Sequence, residues 1–373
     1  MKSIYRIIPV VVFCLFIFVQ CDKKKKNNAE PEPPAETFDK AAMLNNLADN
    51  LILPSYTSFQ SSIDSLITSF NVFKTSNLLS DYQIVKQKFN STYLKYQRIS
   101  LFEFGPAETI GIRNSFNVFP TDSDQIKSNI SLGNYDLGIL ANIDAKGLPA
   151  LDYLFYGKNQ SELSIVQSFI SSANKKQYVS NLLLEMSTKI NQVISGWNSN
   201  YKTTFSNSLN TDVGSSIGFL VNQLNYEIDN LKNAKIGIPL GKKSMGAILP
   251  EKCEAYYSSI YSVQYAIESL NQIENTYLGK GLNGINGKGF DDYLDHLQLK
   301  HGGNLLNSDI NAQFALTKSK FALLQSPLST QIINNPTAVD AAYMELVKLL
   351  VLLKTDMPSG LGVIITYQDG DGD

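Results

Sequence analysis

Side chains that could bind a ligand occur in separate parts of the chain. Glu103 and Arg113 flank a Gly- and Pro-rich region, where they could pair with each other or bind a ligand. Glu254 and Ser258 are four residues apart, which would place both on one face of a predicted helix. Asp152 lies in a short apolar segment and is the fifth candidate. Because pockets favour domain interfaces, we predict that these side chains meet at a cleft between two domains.

The sequence contains no motif of a hydrolytic enzyme that is complete in both its residues and its predicted structural context. The only histidines, His296 and His301, do not form an HExxH motif, in which two metal ligands and a base share one helix face. A Gly-Gly pair follows His301, so a helix is expected to end there. Ser216 lies in a GxSxG match, but a polar junction precedes it where a nucleophile elbow needs a strand. The alternating aspartates and glycines of Asp369–Asp373 do not complete an EF-hand, and a polar tail is expected.

Apolar residues at helical spacing predict the elements that position these groups. The clearest stripes are Leu78, Tyr82, Val85, Phe89, Tyr93 and Tyr96; Val179, Leu183, Met186, Ile190, Val193 and Trp197; and Tyr256, Ile260, Val263, Ile267 and Leu270. A further helix is predicted from Phe38 to Phe73, with a kink or break at Pro54. Alternation of period two is confined to Leu361–Tyr367. The chain is therefore predicted to be mainly α.

The helical regions divide into two predicted bundles. The chain has 373 residues, 43% of them hydrophobic, which favours two cores of ordinary domain size. The polar stretch Asn198–Asn210 is the candidate junction, so the domains are residues 37–203 and residues 204–373. Glycine, proline, asparagine and aspartate predict an irregular insert of about forty residues after Phe104. The predicted fold is two helical-bundle domains.

The N-terminus has the pattern of a targeting segment. Residues 1–20 combine a basic start with an apolar run that is too short to cross a bilayer, which indicates a secretory signal peptide. Phe18–Cys21 is similar to a relaxed lipobox, so Cys21 is the predicted lipidation site; a cleaved signal with an unmodified Cys21 is the alternative. Residues 21–36 are predicted to be a flexible tether. The sequence thus predicts a lipid-anchored protein of the bacterial cell envelope, at the periplasmic face or the cell surface of the outer membrane.

Charge and cysteine content narrow the class of protein further. The formal net charge of −2 provides no broad basic surface, so nucleic acid is excluded as a partner. Once the signal is removed and Cys21 is acylated, Cys253 is the last free thiol, and no intramolecular disulfide is expected.

Five landmarks in order carry a family resemblance. They are Phe104–Ala107, Lys146–Gly157, Glu254–Ser258, Tyr277–Gly279 and the C-terminal stretch from Leu361 to Asp371. Together they resemble the imelysin-like family from about Phe38 onward. The resemblance implies a secreted or lipid-anchored, two-domain helical protein. Members of that family are associated with iron- or haem-linked uptake loci, and some have been classed as metallopeptidases.

The second landmark departs from the family pattern. The His and Glu of the family's GxHxxE motif are regarded as candidate metal ligands; here Gly147 is kept, but Pro149 and Asp152 stand at those two positions. Proline has no side-chain donor, so a site that needs the His is lost or rebuilt. Asp152 is the remaining candidate metal ligand; alternatively it is a solvated or capping carboxylate in the first part of a helix. Pro149 is expected to begin that helix.

These observations and the resemblance predict a binding protein in iron- or haem-related uptake. Its ligand would lie between the two domains, with iron or another divalent metal as the candidate cofactor. The membrane, through Cys21, and components of iron or haem uptake are the predicted partners. Two alternatives stay open: an imelysin-class metallopeptidase, which the altered motif does not support, and a structural or interaction module that has lost the ancestral metal site.

Overall fold

The computed structural model describes residues 37–366. The predicted signal peptide, Cys21 and tether, and the aspartates from Asp369 onward, lie outside the described residues. The prediction of a mainly α fold is confirmed: within the described range the regular structure is helical apart from one two-stranded hairpin. Among the described residues, those from Phe38 to Thr366 form one compact unit. The division of that unit at residue 203 stays a prediction.

The first half of the described chain is built from helices of very different lengths. They are α1 Lys40–Asn46, α2 Leu53–Ser76, α3 Leu79–Tyr96, α4 Pro106–Ile110, α5 Ile112–Phe116, α6 Ser123–Leu132, α7 Gly147–Tyr156, α8 Glu162–Ile170, α9 Ala173–Gly196 and α10 Lys202–Asn207. The insert that was expected to be irregular thus contains α4, α5 and α6. Asp122 caps α6 by accepting hydrogen bonds from the backbone N–H groups of Asp124 and Gln125, and Gly133 ends the helix with a φ of +69°. Glycines here separate short helices instead of abolishing them.

The second half contains the hairpin and the remaining helices. They are α11 Ser216–Asn230, α12 Ser262–Tyr277, α13 Phe290–His296, β1 Lys300–His301, β2 Asn304–Leu305, α14 Leu306–Phe321, α15 Leu328–Asn334, α16 Pro336–Val351 and α17 Met357–Leu361. The expectation that His301 ends a helix is wrong, since it lies in β1 and pairs with Asn304. Gly302 and Gly303 have φ values of +57° and +101°, and a two-residue hairpin loop needs such positive angles.

Several long helices continue through wider π-helical turns. Such turns occupy Leu47–Ile52, Trp197–Tyr201, Leu231–Gly237 and Leu352–Asp356. Two of them directly precede a helix start that carries a proline, Pro54 in α2 and Pro358 in α17. Proline lacks an N–H and clashes with the carbonyl four residues earlier, and a locally altered hydrogen-bond register accommodates both defects. The break predicted at Pro54 takes this form, and the polar stretch after Trp197 is helical as far as Asn207.

The helices pack around one continuous cluster of buried apolar side chains. In the first half α2 packs against both α3 and α9, and in the second half α14 packs against α16. Contacts of α12 with α3, and of α11 with the short helical turn at Ser100–Phe102, connect the two halves. None of the helices between residues 37 and 366 has the length and apolar character needed to cross a membrane.

The glycine at the start of α7 is required by close packing. Gly147 has a φ of +73°, and a Cβ at this position would lie 2.5 Å from the backbone oxygen of Phe116, at the end of α5. Residues with a side chain rarely adopt this backbone angle, and no real Cβ approaches a carbonyl oxygen so closely. The residue therefore fixes how near the first turn of α7 comes to α5.

Gly147→Ala is expected to lower the free energy of unfolding by about 2–3 kcal/mol, because backbone strain adds to a clash that a rigid carbonyl cannot relieve. Chemical denaturation measures the change. Gly111→Ala is the matched control: its φ is +69°, but no atom lies within 4 Å of the added Cβ. An equal loss in the two variants would show that the φ angle alone, and not the approach to Phe116, makes glycine necessary.

Candidate functional site

Asp152 joins α7 to a distant segment of backbone. Its side chain is buried, with 1% of the residue exposed. Oδ2 accepts a hydrogen bond from the Tyr257 N–H and Oδ1 accepts one from the Ser258 N–H, both at 2.9 Å. Asp152 is therefore not solvated; it caps a chain segment more than a hundred residues away instead of its own helix.

The segment that receives these hydrogen bonds is not helical. Glu254 and Ser258 were expected to share a helix face, but α12 begins only at Ser262. Ala255 and Ser259 have φ values of +53° and +26°, which are incompatible with a right-handed helix. Ser258 reaches Asp152 through its backbone, whereas Glu254 directs its side chain to a different set of partners.

Glu254 is the centre of a buried polar network. Its Oε1 accepts hydrogen bonds from Gln97 Nε2 at 3.0 Å and from Asn117 Nδ2 at 2.7 Å. Lys235 Nζ lies 3.1 Å from Oε2 and also donates to Gln97 Oε1. Both charged residues are 2% exposed. This ion pair links the π-helical turn after α11 to the segment that Asp152 anchors.

Glu103 and Arg113 lie beside this network but do not meet through their side chains. The Glu103 carboxylate accepts the backbone N–H of Arg113, at 3.1 and 3.2 Å from its two oxygens. The Arg113 guanidinium donates to the Ser100 carbonyl at 3.2 Å and to Gln223 Oε1 at 2.8 Å, and its carbon lies 3.8 Å from the centre of the Tyr226 ring. Glu103 thus holds the backbone at the start of α5, while the Arg113 side chain reaches across to α11.

Two cavities adjoin the predicted site residues. The larger, of about 280 Å³, has Asp152 in its wall together with Phe119, Pro120, Thr121, Ser123, Pro149, Lys158, Glu251, Cys253, Ala255, Tyr256 and Tyr257. The smaller, of about 170 Å³, is lined by Arg113, Asn117, Glu227 and Lys235 among others. Asn117 lines the smaller cavity and donates a hydrogen bond to Glu254. Glu254 lies between Cys253 and Ala255, which line the larger cavity, so Asn117 links the two cavities. The structure therefore places the five predicted residues in two adjacent groups. Asp152, Ser258 and Glu254 form one group, in which Asp152 contacts Ser258 directly, and Glu103 and Arg113 form the other.

Burial changes the acid–base properties of two of these carboxyl groups. Burial raises the pKa of Asp152 to about 6, although the hydrogen bonds from Ser258 and Tyr257 oppose this change; the nearby Glu254 raises it slightly further. Burial likewise raises the pKa of Glu103 to about 7, against the opposing influence of Arg113. Both groups therefore take up a proton closer to neutral pH than ordinary carboxyl groups do.

Four members of the network were not among the predicted residues: Gln97, Asn117, Glu227 and Lys235. Glu227 is 1% exposed and accepts hydrogen bonds from the Ser100 hydroxyl at 2.9 Å and the Ser269 hydroxyl at 2.8 Å. A sequence signal existed for three of the four. Gln97 follows Tyr93 by four residues, and Glu227 and Lys235 continue the apolar stripe that includes Leu224 and Leu231. A polar residue at a position of an apolar stripe indicates a buried partner.

The fold and this site define a helical protein with a buried polar network and adjoining cavities where its first and second halves meet. The chain belongs to the imelysin family: the model of that family, Peptidase_M75 (Imelysin), matches residues 52–356. Curated proteins, in contrast, give no match.

Solved structures have the same fold. A candidate iron-regulated protein A precursor from Parabacteroides distasonis ATCC 8503 superposes with a TM-score of 0.74 at 14% identity, over 88% of this chain and 97% of that chain. An imelysin-like protein from Psychrobacter arcticum 273-4 gives a TM-score of 0.66 at 16% identity, with the same shares of the two chains covered. At such identities the likeness concerns the fold.

The residues at the family's motif do not fit a bound metal. Pro149 offers no donor, and each oxygen of Asp152 already accepts a backbone N–H. His296 ends α13, and His301 lies in the hairpin with its Nδ1 2.8 Å from Asp309 Oδ2. Between residues 37 and 366 no group of three or more His, Cys, Asp or Glu side chains is arranged to hold a metal ion. A histidine-based metallopeptidase site is therefore not assembled from the described residues.

Proposed function

We propose that this protein is a ligand-binding protein of the bacterial cell envelope, that it acts in iron- or haem-related uptake, and that its ligand occupies the cavity beside Asp152. The cavity carries the proposal. Its walls come from both α7 and the segment before α12, and Asp152 holds these two together through hydrogen bonds to Tyr257 and Ser258. Pockets between parts of a fold are the usual place for small ligands, and about 280 Å³ is near the lower end of their sizes.

The chemistry of the cavity suits a small organic ligand better than a bare ion. Tyr256 and Tyr257 contribute aromatic rings, and Cys253 and Ala255 add apolar surface. Lys158 and Glu251 are exposed residues, so they provide charge at the rim of the cavity. A ligand with apolar and ionised parts, such as an organic iron chelate, matches this combination.

The connection with iron comes from a relative and is transferred here as a proposal. The structure from Parabacteroides distasonis is named for iron regulation and shares the fold. A chelate or a haem would bring its own iron ligands. Such a ligand would not depend on the missing His of the motif.

Calorimetric titration with ferric citrate and with haem tests the proposal, with ferrous and zinc salts as bare-ion controls. At least one iron complex is expected to bind, and Lys158→Met is expected to weaken binding by about ten-fold through loss of a rim charge. Lys88→Met is the matched control, because Lys88 is exposed on α3 and does not line the cavity. Unchanged affinity in Lys158→Met, or no binding of either complex, would contradict the proposed site. Tight binding of the bare ions that Asp152→Ala abolishes would instead favour a metal centre.

The hydrogen bonds of Asp152 favour a second candidate, a structural or interaction module. Both carboxylate oxygens are used to hold the backbone of Tyr257 and Ser258, which is a structural role. The same titrations separate the two candidates, since a module would bind neither iron complex in the cavity.

The proposed location depends on acylation of Cys21. Wild-type protein expressed in a bacterium with a lipoprotein pathway is expected to incorporate labelled palmitate and to fractionate with membranes. Cys21→Ser should lose both the label and the membrane association, since the thiol is the attachment point and stable anchoring needs acyl chains. Cys253→Ser is the control, because that thiol is buried. Label retained in Cys21→Ser would contradict lipidation at this residue.

A further inference from the structure

A third cavity, of about 300 Å³, lies entirely within the first half of the chain. Its lining residues come from α6, α7, α8, α9 and the turns between them. It differs from the cavity of the proposed function: Tyr153 lines this one, whereas Asp152 lines the other, and the two cavities share no lining residue.

Lys175 is the chemically distinctive group in this cavity. Its Nζ donates to the Ser168 hydroxyl at 2.7 Å and lies 4.2 Å from the centre of the Phe169 ring. Among residues 37–366 no carboxylate lies within ion-pair distance of this ammonium group. Burial lowers the pKa of Lys175 to about 8, which reflects the lack of a compensating charge. The group is thus a partly desolvated cation whose protein partners are a hydroxyl and an aromatic ring.

The rest of the lining combines polar and apolar surface. Ser172, the N-cap of the 24-residue helix α9, lines the cavity, so the positive end of that helix adds to the charge of Lys175. Lys127 marks the open side: its side chain is 60% exposed and pairs with Asp124 at 2.8 Å. Ile130 and Leu154 supply aliphatic surface. The cavity therefore has a cationic end and an apolar body.

We propose that this cavity binds a small organic acid, with the carboxylate at Lys175 Nζ and the apolar part against Ile130, Leu154 and Tyr153. A carboxylate would supply the counter-charge that the ammonium group lacks, through charge-assisted hydrogen bonds. The apolar lining favours an acid with a hydrocarbon body over an inorganic anion. This site is independent of the proposed function, because it uses other residues and a separate cavity.

Calorimetric or NMR titration with hexanoate and benzoate tests the proposal, with hexanol and benzyl alcohol as neutral analogues of similar shape. At least one acid is expected to bind at neutral pH, and its alcohol to bind at least about ten-fold more weakly. Lys175→Met should weaken acid binding by about ten-fold or more, because it removes the charge and keeps the apolar stem. Lys176→Met is the matched control: it is the same change one residue along α9, and Lys176 donates to the Lys74 carbonyl outside this cavity.

Three results would overturn the proposal: no binding of either acid at millimolar concentration, equal binding of acid and alcohol, or unchanged affinity in Lys175→Met. Removal of a partly buried charge that has no carboxylate partner is not expected to impair folding, and circular dichroism checks this. If Lys175→Met does not fold, Lys175→Gln replaces it as the charge-free variant. Lys158 lines the Asp152 cavity and not this one, so Lys158→Met should leave acid binding unchanged. A failure of the organic-acid proposal can therefore be distinguished from a failure of the proposed function.

Discussion

Lys235→Met is expected to lower the free energy of unfolding by about 3–5 kcal/mol, because it leaves the Glu254 carboxylate buried without its cation. Lys235 and Glu254 are both 2% exposed, and their charged groups are 3.1 Å apart. Methionine keeps the length and apolar stem of lysine, so the loss reports mainly on charge. Urea denaturation followed by far-UV circular dichroism measures the change.

Two companion variants make this experiment specific. Glu254→Gln in the Lys235→Met background should recover part of the lost stability, because the unpaired charge is then removed. Lys242→Met is the matched surface control: Lys242 pairs with Asp340 at 2.5 Å, but the two side chains are 35% and 44% exposed. Such pairs contribute about 1 kcal/mol or less. A loss in Lys235→Met as small as that in Lys242→Met would show that water reaches the buried network.

Asp152→Ala is expected to lower the free energy of unfolding by about 3 kcal/mol, since it leaves the backbone N–H groups of Tyr257 and Ser258 buried without an acceptor. Asp122→Ala is the matched control. Asp122 also accepts two backbone N–H groups, but it is exposed, so water replaces it at a cost of about 1 kcal/mol. Equal losses in the two variants would contradict the inference that burial gives Asp152 its importance.

Asp152 also makes stability depend on pH, with a definite sign. Its folded-state pKa of about 6 lies above the ordinary value for aspartate, so the folded protein binds the proton more tightly than the unfolded chain does. The resulting stabilisation is complete below about pH 4 and is lost as the pH rises through 6. Asp152 alone should therefore lower the free energy of unfolding by about 1 kcal/mol between pH 5 and pH 8.

Asp152→Asn should weaken that pH dependence, because the amide does not titrate. Glu103, with a pKa of about 7, contributes in the same direction and remains in the variant. The difference between the wild-type and Asp152→Asn profiles is therefore the quantity to compare. Identical profiles would show that Asp152 does not bind a proton in this range.

The general architecture could be predicted from the sequence because helical periodicity is a local property. The stripe from Leu78 to Tyr96 corresponds to α3, and the stripe ending at Trp197 corresponds to α9. The stripe that begins at Tyr256 extended the predicted helix too far, since the turn before Ser262 depends on Ala255 and Ser259 at positive φ. Neither residue type signals such angles, so tertiary packing decided this segment.

The candidate site could be predicted only in part, for a related reason. Asp152 and Ser258 were selected as companions and are in contact. The contact uses the backbone of Ser258, and the spacing of residues in the sequence cannot reveal where that backbone lies. Glu103 and Arg113 were selected as residues that could pair with each other or bind a ligand, and Glu103 in fact accepts a hydrogen bond from the Arg113 backbone. Lys235 and Gln97 stand at positions of apolar stripes, which signals burial, but their pairing with Glu254 joins distant parts of the chain and leaves no local pattern.

The hydrogen bonds of Asp152 also bear on the order in which the protein folds. They connect residues 105 and 106 positions apart in the sequence, so closing this loop carries a large entropic penalty that only a largely formed structure can offset. Helices such as α2 and α3, which are neighbours in sequence and in space, can pair much earlier. We therefore expect the wall of the Asp152 cavity to be completed late, and mutations at Asp152 to accelerate unfolding more than they slow folding.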